Sequence, residues 1–162
     1  MLKNFEQMKE MLRQQPGKRR VAVAVAQDEH TLQAVSQAAR DGLVRPVLIG
    51  RETEIRAILE KIGCPELEVD IVNLEDPVAC IQKAADLARE GQVDCIMKGK
   101  CQTGTLMKVL VNKDTGIRTG DIMSLVGFFE SPYYHKVFAI TDPALLTYPD
   151  LEQKKAEIRN AV

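Results

Sequence analysis

Lys98-Gly-Lys-Cys-Gln-Thr-Gly-Thr105 is the stretch of this chain best equipped for chemistry. Gly99 and Gly104 let the backbone turn tightly, Lys98 and Lys100 bring positive charge, and Thr103 and Thr105 bring hydroxyl donors. A helix follows, and the N–H groups at a helix start are unpaired and favour an anion. Such parts can cradle a phosphate. The stretch is not a P-loop, which places Lys and then Ser or Thr after its second Gly. Here Thr105-Leu106 follows Gly104. A polar turn whose Thr only caps the helix would have the same composition.

Other candidates are weaker. Asn112 to Gly120 is a second polar loop, in which Arg118 could offer a fork to a phosphate or carboxylate, or simply lie on a surface linker. Asp142 reads as a turn cap or as a carboxylate emerging at a strand end. His30, in the first turn of a helix, and His135, in a hairpin turn, both read as solvent-facing. Cys64, Cys80, Cys95 and Cys101 form no C-x-x-C pair, and with two His no zinc spacing appears. They read as reduced and mostly buried. Cys101 adjoins the lysine-rich loop, and its thiol would be activated only if Lys98 or Lys100 lowered its pKa.

These residues are positioned by an alternation of helix and strand. A first helix presents Leu2, Phe5, Met8 and Leu12, and stops at Pro16-Gly17. Arg20–Ala26, Pro46–Ile49, Leu67–Leu74 and Asp94–Met97 read as strands. Between them lie helices capped by Asp28, ended by Gly63, and opened by Asp76-Pro77. Thr105 to Val111 reads as a short helix. This order predicts an α/β fold, an open parallel sheet with helices on both faces. The lysine-rich loop then lies beyond the carboxyl ends of the strands, where such sheets bind ligands. After Gly120, Ile122–Glu130 and Lys136–Thr141 read as an antiparallel hairpin, and Asp150 caps a helix from Leu151. The expected organisation is a first domain over 1–120 and the beginning of a second, truncated one over 121–162.

Composition excludes several classes. Apolar residues make up 45% and charged residues 28%, a globular balance. Lys plus Arg number 22 against 23 Asp plus Glu, so nothing draws the chain as a whole to nucleic acid. The apolar run Val21 to Ala26 falls far below the ~18 residues of a membrane span. The charged N-terminus is not a secretory signal, so the expected location is the cytoplasm.

The run from Cys95 to Thr119, CIMKGKCQTGTLMKVLVNKDTGIRT, resembles phosphate butyryltransferases, within the wider phosphate acetyl/butyryl transferase family. So do Val126-Gly-Phe-Phe-Glu-Ser-Pro-Tyr-Tyr, Ile140-Thr-Asp142, Pro149-Asp-Leu-Glu-Gln-Lys-Lys, and the earlier pattern Ala26-Gln-Asp28, Ala39, Gly42 and Val47-Leu-Ile-Gly50. The resemblance runs along the chain but covers about the first half of a family member. It implies a fold like that of isocitrate and isopropylmalate dehydrogenases, with two α/β domains and an active site in the cleft between them. It implies homodimers as well. The implied reaction is butanoyl-CoA plus phosphate giving butanoyl phosphate plus CoA, with coenzyme A as substrate and neither cofactor nor metal.

By the same resemblance, Lys98, Gly99, Thr103 and Thr105 lie at the phosphate or CoA end of the cleft. Arg118 and Ser124 lie near the interdomain junction. Where the acetyltransferase branch has Thr-Leu-Arg-Pro, this chain has Thr105-Leu106-Met107-Lys108, so either Lys108 substitutes for the Arg or that role lapses. The family's Ser-Arg motif and following Asp come from a C-terminal segment, so the catalytic residues are expected beyond Val162. Two readings follow. One is an acyltransferase or its N-terminal half. The other is a non-catalytic module that binds CoA or phosphate, a remnant that serves as a scaffold, or a fragment that needs a separately encoded C-terminal half. A dinucleotide-binding oxidoreductase is disfavoured, because Gln27-Asp28-Glu29 occupies the turn where G-x-G-x-x-G would stand.

Overall fold

The run of Val and Ala after Arg20 has no polar face. In a computed structural model that describes residues 2–17, 19–120 and 122–162, it becomes an inner strand of a sheet covered on both sides. Residues 15–118 form one compact unit, with β1 (Arg19–Ala24), α2 (Glu29–Arg40), β2 (Val44–Gly50), α3 (Glu52–Lys61), β3 (Asp70–Asn73), α4 (Pro77–Arg89), β4 (Cys95–Lys98) and α5 (Thr103–Leu110). The described residues of 2–14 and 119–162 form the other, with α1 (Phe5–Gln14), β5 (Val126–Phe129), β6 (Phe138–Thr141) and α6 (Leu151–Ala161).

The four strands of the first unit are parallel, in the order β3-β2-β1-β4. Side chains alternate across a strand. Val21 and Val23 therefore pack with Leu32 and Val35 of α2 and Ile55 and Leu59 of α3, while Ala22 and Ala24 pack with Cys80, Ile81 and Ala84 of α4 and Leu106 of α5. Each large side chain fully buried this way stabilises the fold by about 1.5–3 kcal/mol. The expected open parallel sheet with helices on both faces is what the chain forms.

Element ends differ from the sequence-based expectation by a few residues. β3 covers Asp70–Asn73 rather than 67–74, because Leu67 N–H turns back to the Cys64 carbonyl at 3.2 Å. α5 begins at Thr103 rather than Thr105, which moves Thr103 and Gly104 from the loop into the first helical turn.

In the second unit β5 and β6 are antiparallel, paired from Val126↔Thr141 to Phe129↔Phe138. The hairpin is shorter than its apolar run because side chains occupy the groups that would extend it. Asp142 Oδ2 accepts the Leu125 N–H at 2.7 Å, the Thr141 hydroxyl donates to the Leu125 carbonyl, and Asn160 Nδ2 donates to the Ile122 carbonyl. Among the described residues, every buried hydrophobic side chain lies between Val21 and Leu110. Phe128, Phe129, Leu125 and Ile140 of the hairpin region are exposed, as are Leu151 and Ile158 of α6. Hydrophobic burial therefore holds the sheet unit far more firmly than the hairpin unit. No described helix is long and apolar enough to cross a membrane.

Candidate functional site

In the order β3-β2-β1-β4 successive strands are added to one side of β1 as far as β3 and then to its other side with β4, so the strand order reverses between β1 and β4 and a crevice opens there beyond the strand ends. An open cleft of about 520 Å³ occupies that place. Its one wall is Asp28 of the β1–α2 turn with Thr31 from the first turn of α2. The facing wall is Lys98 to Gln102.

The two loops are tied together by backbone. Gly99 N–H donates to the Ala24 carbonyl and Lys100 N–H to that of Val25, both at 2.9 Å. Glycine is required here. A β-carbon on Gly99 would stand 2.8 Å from the Ala24 carbonyl oxygen and closer still to that of Val25. Val25 itself has φ of 60°, in the left-handed region that β-branched residues rarely adopt. Such strain costs of order 1–3 kcal/mol and persists where the surroundings over-determine it. Lys98 Nζ turns onto its own loop, donating to Cys101 O at 2.8 Å and Gly99 O at 3.3 Å. The ammonium thus staples the loop and keeps donor capacity for a ligand. Lys100 is exposed at the cleft.

Two helices start at this crevice, and their ends differ. Asp28 closes α2: its Oδ2 accepts from Thr31 N–H at 2.9 Å and Thr31 Oγ1 at 2.7 Å. The hydroxyl and backbone bonds from Thr31 hold the Asp28 carboxyl below its ordinary value, and the charges of His30 and Lys100 add to this. The cap is therefore intact at neutral pH and is lost only as pH falls through that lowered value. At α3 and α5 the N-cap residues Arg51 and Gln102 make no side-chain cap bond, and α5 differs in that no other described side chain accepts from its start. The other described helices all receive a side-chain acceptor at their start. Asn4 and Glu130 serve α1, Asp28 serves α2, Asn73 serves α3, Asp76 serves α4 and Asp150 serves α6. The first turn of α5 presents N–H groups and the Thr103 and Thr105 hydroxyls beside Lys98 and Lys100, and among the described residues no side chain accepts from those N–H groups. A helix start of this kind favours an anion.

Of the remaining residues expected at the site, Lys108 is exposed in the last turn of α5. Arg118 is exposed after a loop that is pinned to α4, where Thr115 O accepts from Gln82 Nε2 and Arg89 Nη1. Ser124 belongs to the other unit, where its hydroxyl accepts from Asn160 Nδ2 at 2.9 Å. Asp142 organises a turn. Desolvation pushes its carboxyl up, but backbone N–H groups of Leu125, Leu145, Ala144 and Leu146 outweigh this and hold it low. Burial raises the Cys101 thiol more than Lys98 lowers it, so it is not an activated nucleophile. Cys64 and Cys80 are buried, whereas Cys95 is exposed, against the expectation for all four. His30 and His135 are exposed. Among the described residues, no group of three or more His, Cys, Asp or Glu could hold a metal. Asp28 and Thr31 are the lining residues that the sequence did not suggest. Asp28 reads there only as a cap, and its place opposite the lysines depends on the strand order.

The family model described as phosphate acetyl/butaryl transferase matches residues 5–79. The chain is 36% identical over 162 residues to the phosphate butyryltransferase of Clostridium beijerinckii, which takes in all of this chain and 53% of that protein. It is 37% identical over 159 residues to the phosphate acetyltransferase of Thermotoga maritima, covering 98% of this chain and 53% of that one. The crystal structure of a branched-chain phosphotransacylase from Enterococcus faecalis matches with a TM-score of 0.72 at 25% identity, covering 88% of this chain and 49% of that chain. The resemblance read from the motifs is borne out. The chain spans about half the length of the curated relatives it matches.

Proposed function

We propose, for a chain homologous along its whole length to phosphate acetyl- and butyryltransferases, that it carries the phosphate- and CoA-facing part of an acyltransferase. The reaction is butanoyl-CoA plus phosphate giving butanoyl phosphate plus CoA. The observation that carries this reading is the uncapped start of α5, set with Lys98 and Lys100 at the sheet's switch point.

Phosphate held there by Thr103, Thr105, the first-turn N–H groups and the lysines would present one oxygen to the thioester carbonyl carbon. A carbon–oxygen bond forms, the carbonyl electrons collect on oxygen, and their return breaks the carbon–sulfur bond. CoA leaves as its thiolate and takes a proton. In reverse, the CoA thiol gives up its proton and attacks the acyl phosphate. Donors aimed at the developing oxyanion and at the phosphate lower either barrier. The chain's own contribution is to hold the anion and spread its charge. Gly99 keeps the loop close against β1. Lys108, Arg118 and Ser124 are assigned to the more distant parts of the substrates, by the family resemblance alone. Homodimers and a complementing C-terminal half belong to this proposal too. A second reading, a module that binds CoA or phosphate without catalysing transfer, uses the same cleft.

Thermal-shift titration with phosphate tests the binding common to both. Phosphate at a hundredfold excess over its Kd should stabilise the parent chain by about 2.7 kcal/mol. Lys98→Ala and Thr103→Val should each weaken the apparent affinity, by about tenfold for the charged donor. Titration curves for both variants that overlay the parent's would rule the cradle out.

A further inference from the structure

The cleft that we read as an anion receptor has a second pole, and this inference rests on that reading. Both bonds that Asp28 makes to Thr31 use Oδ2. Its other carboxylate oxygen has no partner among the described residues, and the side chain lines the cleft. Lys100 is near enough to help hold the Asp28 carboxyl ionised, yet no ion pair closes between them. The turn that carries Asp28 is firmly placed. Ala26 N–H donates to the Ile49 carbonyl at 3.0 Å, Asp28 N–H to the Ala26 carbonyl at 2.7 Å, and Gln27 between them is buried. A carboxylate on a firmly held turn thus lines the same open cleft as Lys98, whose ammonium is tied to its loop, and the exposed Lys100.

A purely anionic ligand would be repelled by one wall while the other attracts it. An anion held at the lysines, together with a neutral, donor-bearing arm laid against Asp28, would satisfy both. We propose that Asp28 is a specificity-determining residue of this cleft: its free oxygen accepts a hydrogen bond from a hydroxyl or amide N–H on the neutral arm of a second substrate, while the anion lies at Lys98–Thr105. Of the substrates in the proposed reaction only the CoA component has such an arm. Asp28 therefore lays the arm of the acyl carrier against the wall that faces the bound phosphate.

The test separates charge from capping. Asp28→Asn and Asp28→Ser both keep an acceptor for the Thr31 N–H, so α2 stays capped, and both remove the carboxylate charge. Calorimetric titrations use two probes: inorganic phosphate, and pantetheine as the uncharged amide- and hydroxyl-bearing arm. The variants should bind phosphate more tightly, by about threefold for one repulsive charge removed at the far side of a solvated cleft. They should bind pantetheine about tenfold more weakly, as expected for a lost charge-assisted bond. Opposite shifts of the two affinities support the assignment. Shifts in the same direction, or none in either, overturn it and leave Asp28 a helix cap. A parent chain that takes phosphate but not pantetheine overturns it too, with the anion reading intact. A parent that takes neither refutes the anion reading itself, and the role of Asp28 with it.

Discussion

Purified as a 162-residue polypeptide, this chain should turn over butanoyl-CoA and phosphate at no more than about a thousandth of the ~1–10³ per second usual for enzymes. Positioning two reactants against each other accounts for effective molarities of about 10⁵–10⁸ M in well-oriented systems, and it needs both reactants held. On the proposed reading, the cleft lined by Asp28 and Lys98 to Gln102 takes one anionic group and one neutral arm. The curated relatives that carry the activity in their names are about twice as long. The motif resemblance places the Ser-Arg pair and the following Asp in the part of their sequence that has no counterpart here. Each missing donor to a developing oxyanion costs about 2.7–4 kcal/mol in the barrier, and two such losses already exceed a thousandfold. The assay follows release of free thiol from butanoyl-CoA in the presence of phosphate. Turnover in the ordinary enzyme range would show that the chain holds a complete active site.

Gln102→Asp should move stability and binding in opposite directions. Gln102 occupies the N-cap position of α5 with extended backbone angles, φ −70° and ψ 136°, and makes no side-chain cap bond. Asp is among the best N-cap residues, and its carboxylate also complements the positive end of the helix. The substitution should stabilise the chain by about 1 kcal/mol, which raises the melting temperature by about 2–4 °C in a domain of this size. The same carboxylate would then occupy the N–H groups that we assign to phosphate and would repel the incoming anion. Phosphate affinity should fall at least about tenfold. The two readouts come from one thermal-melt series, without and with phosphate. A variant more stable than the parent that binds phosphate equally well would show that the anion lies elsewhere.

Much of the sheet unit was legible because its signals are local. Asp28 and Asp76 cap the helices they precede, Pro77 follows its cap at the first helical position, and the Val-Ala run is buried on both faces as its lack of a polar side requires. Asp150 likewise caps α6, with Gln153 completing a capping box. The features that escaped the sequence are non-local. Nothing between Ala26 and Glu29 tells that β4, some seventy residues later, lies beside β1 and turns Asp28 toward two lysines. The hairpin looked longer because its apolar run continues to Ile122, and only the fold brings Asp142 and Asn160 onto the groups that end the ladder. α5 looked shorter because Thr103 and Gly104 have the composition of a turn. Their helical geometry puts Gln102 at the cap position, where its side chain makes no cap bond, and that gap in the capping pattern is what makes the site visible.

The central claim is that the open end of α5 receives the anion, and amide resonances report it residue by residue. In a ¹⁵N-labelled sample titrated with inorganic phosphate, the Thr103, Gly104 and Thr105 amides should shift together and saturate with a single Kd. Those of Glu29, His30 and Thr31, at the capped start of α2 across the same cleft, should move much less. Saturable shifts confined to another part of the chain, or shifts at 103–105 that never saturate, would contradict the account.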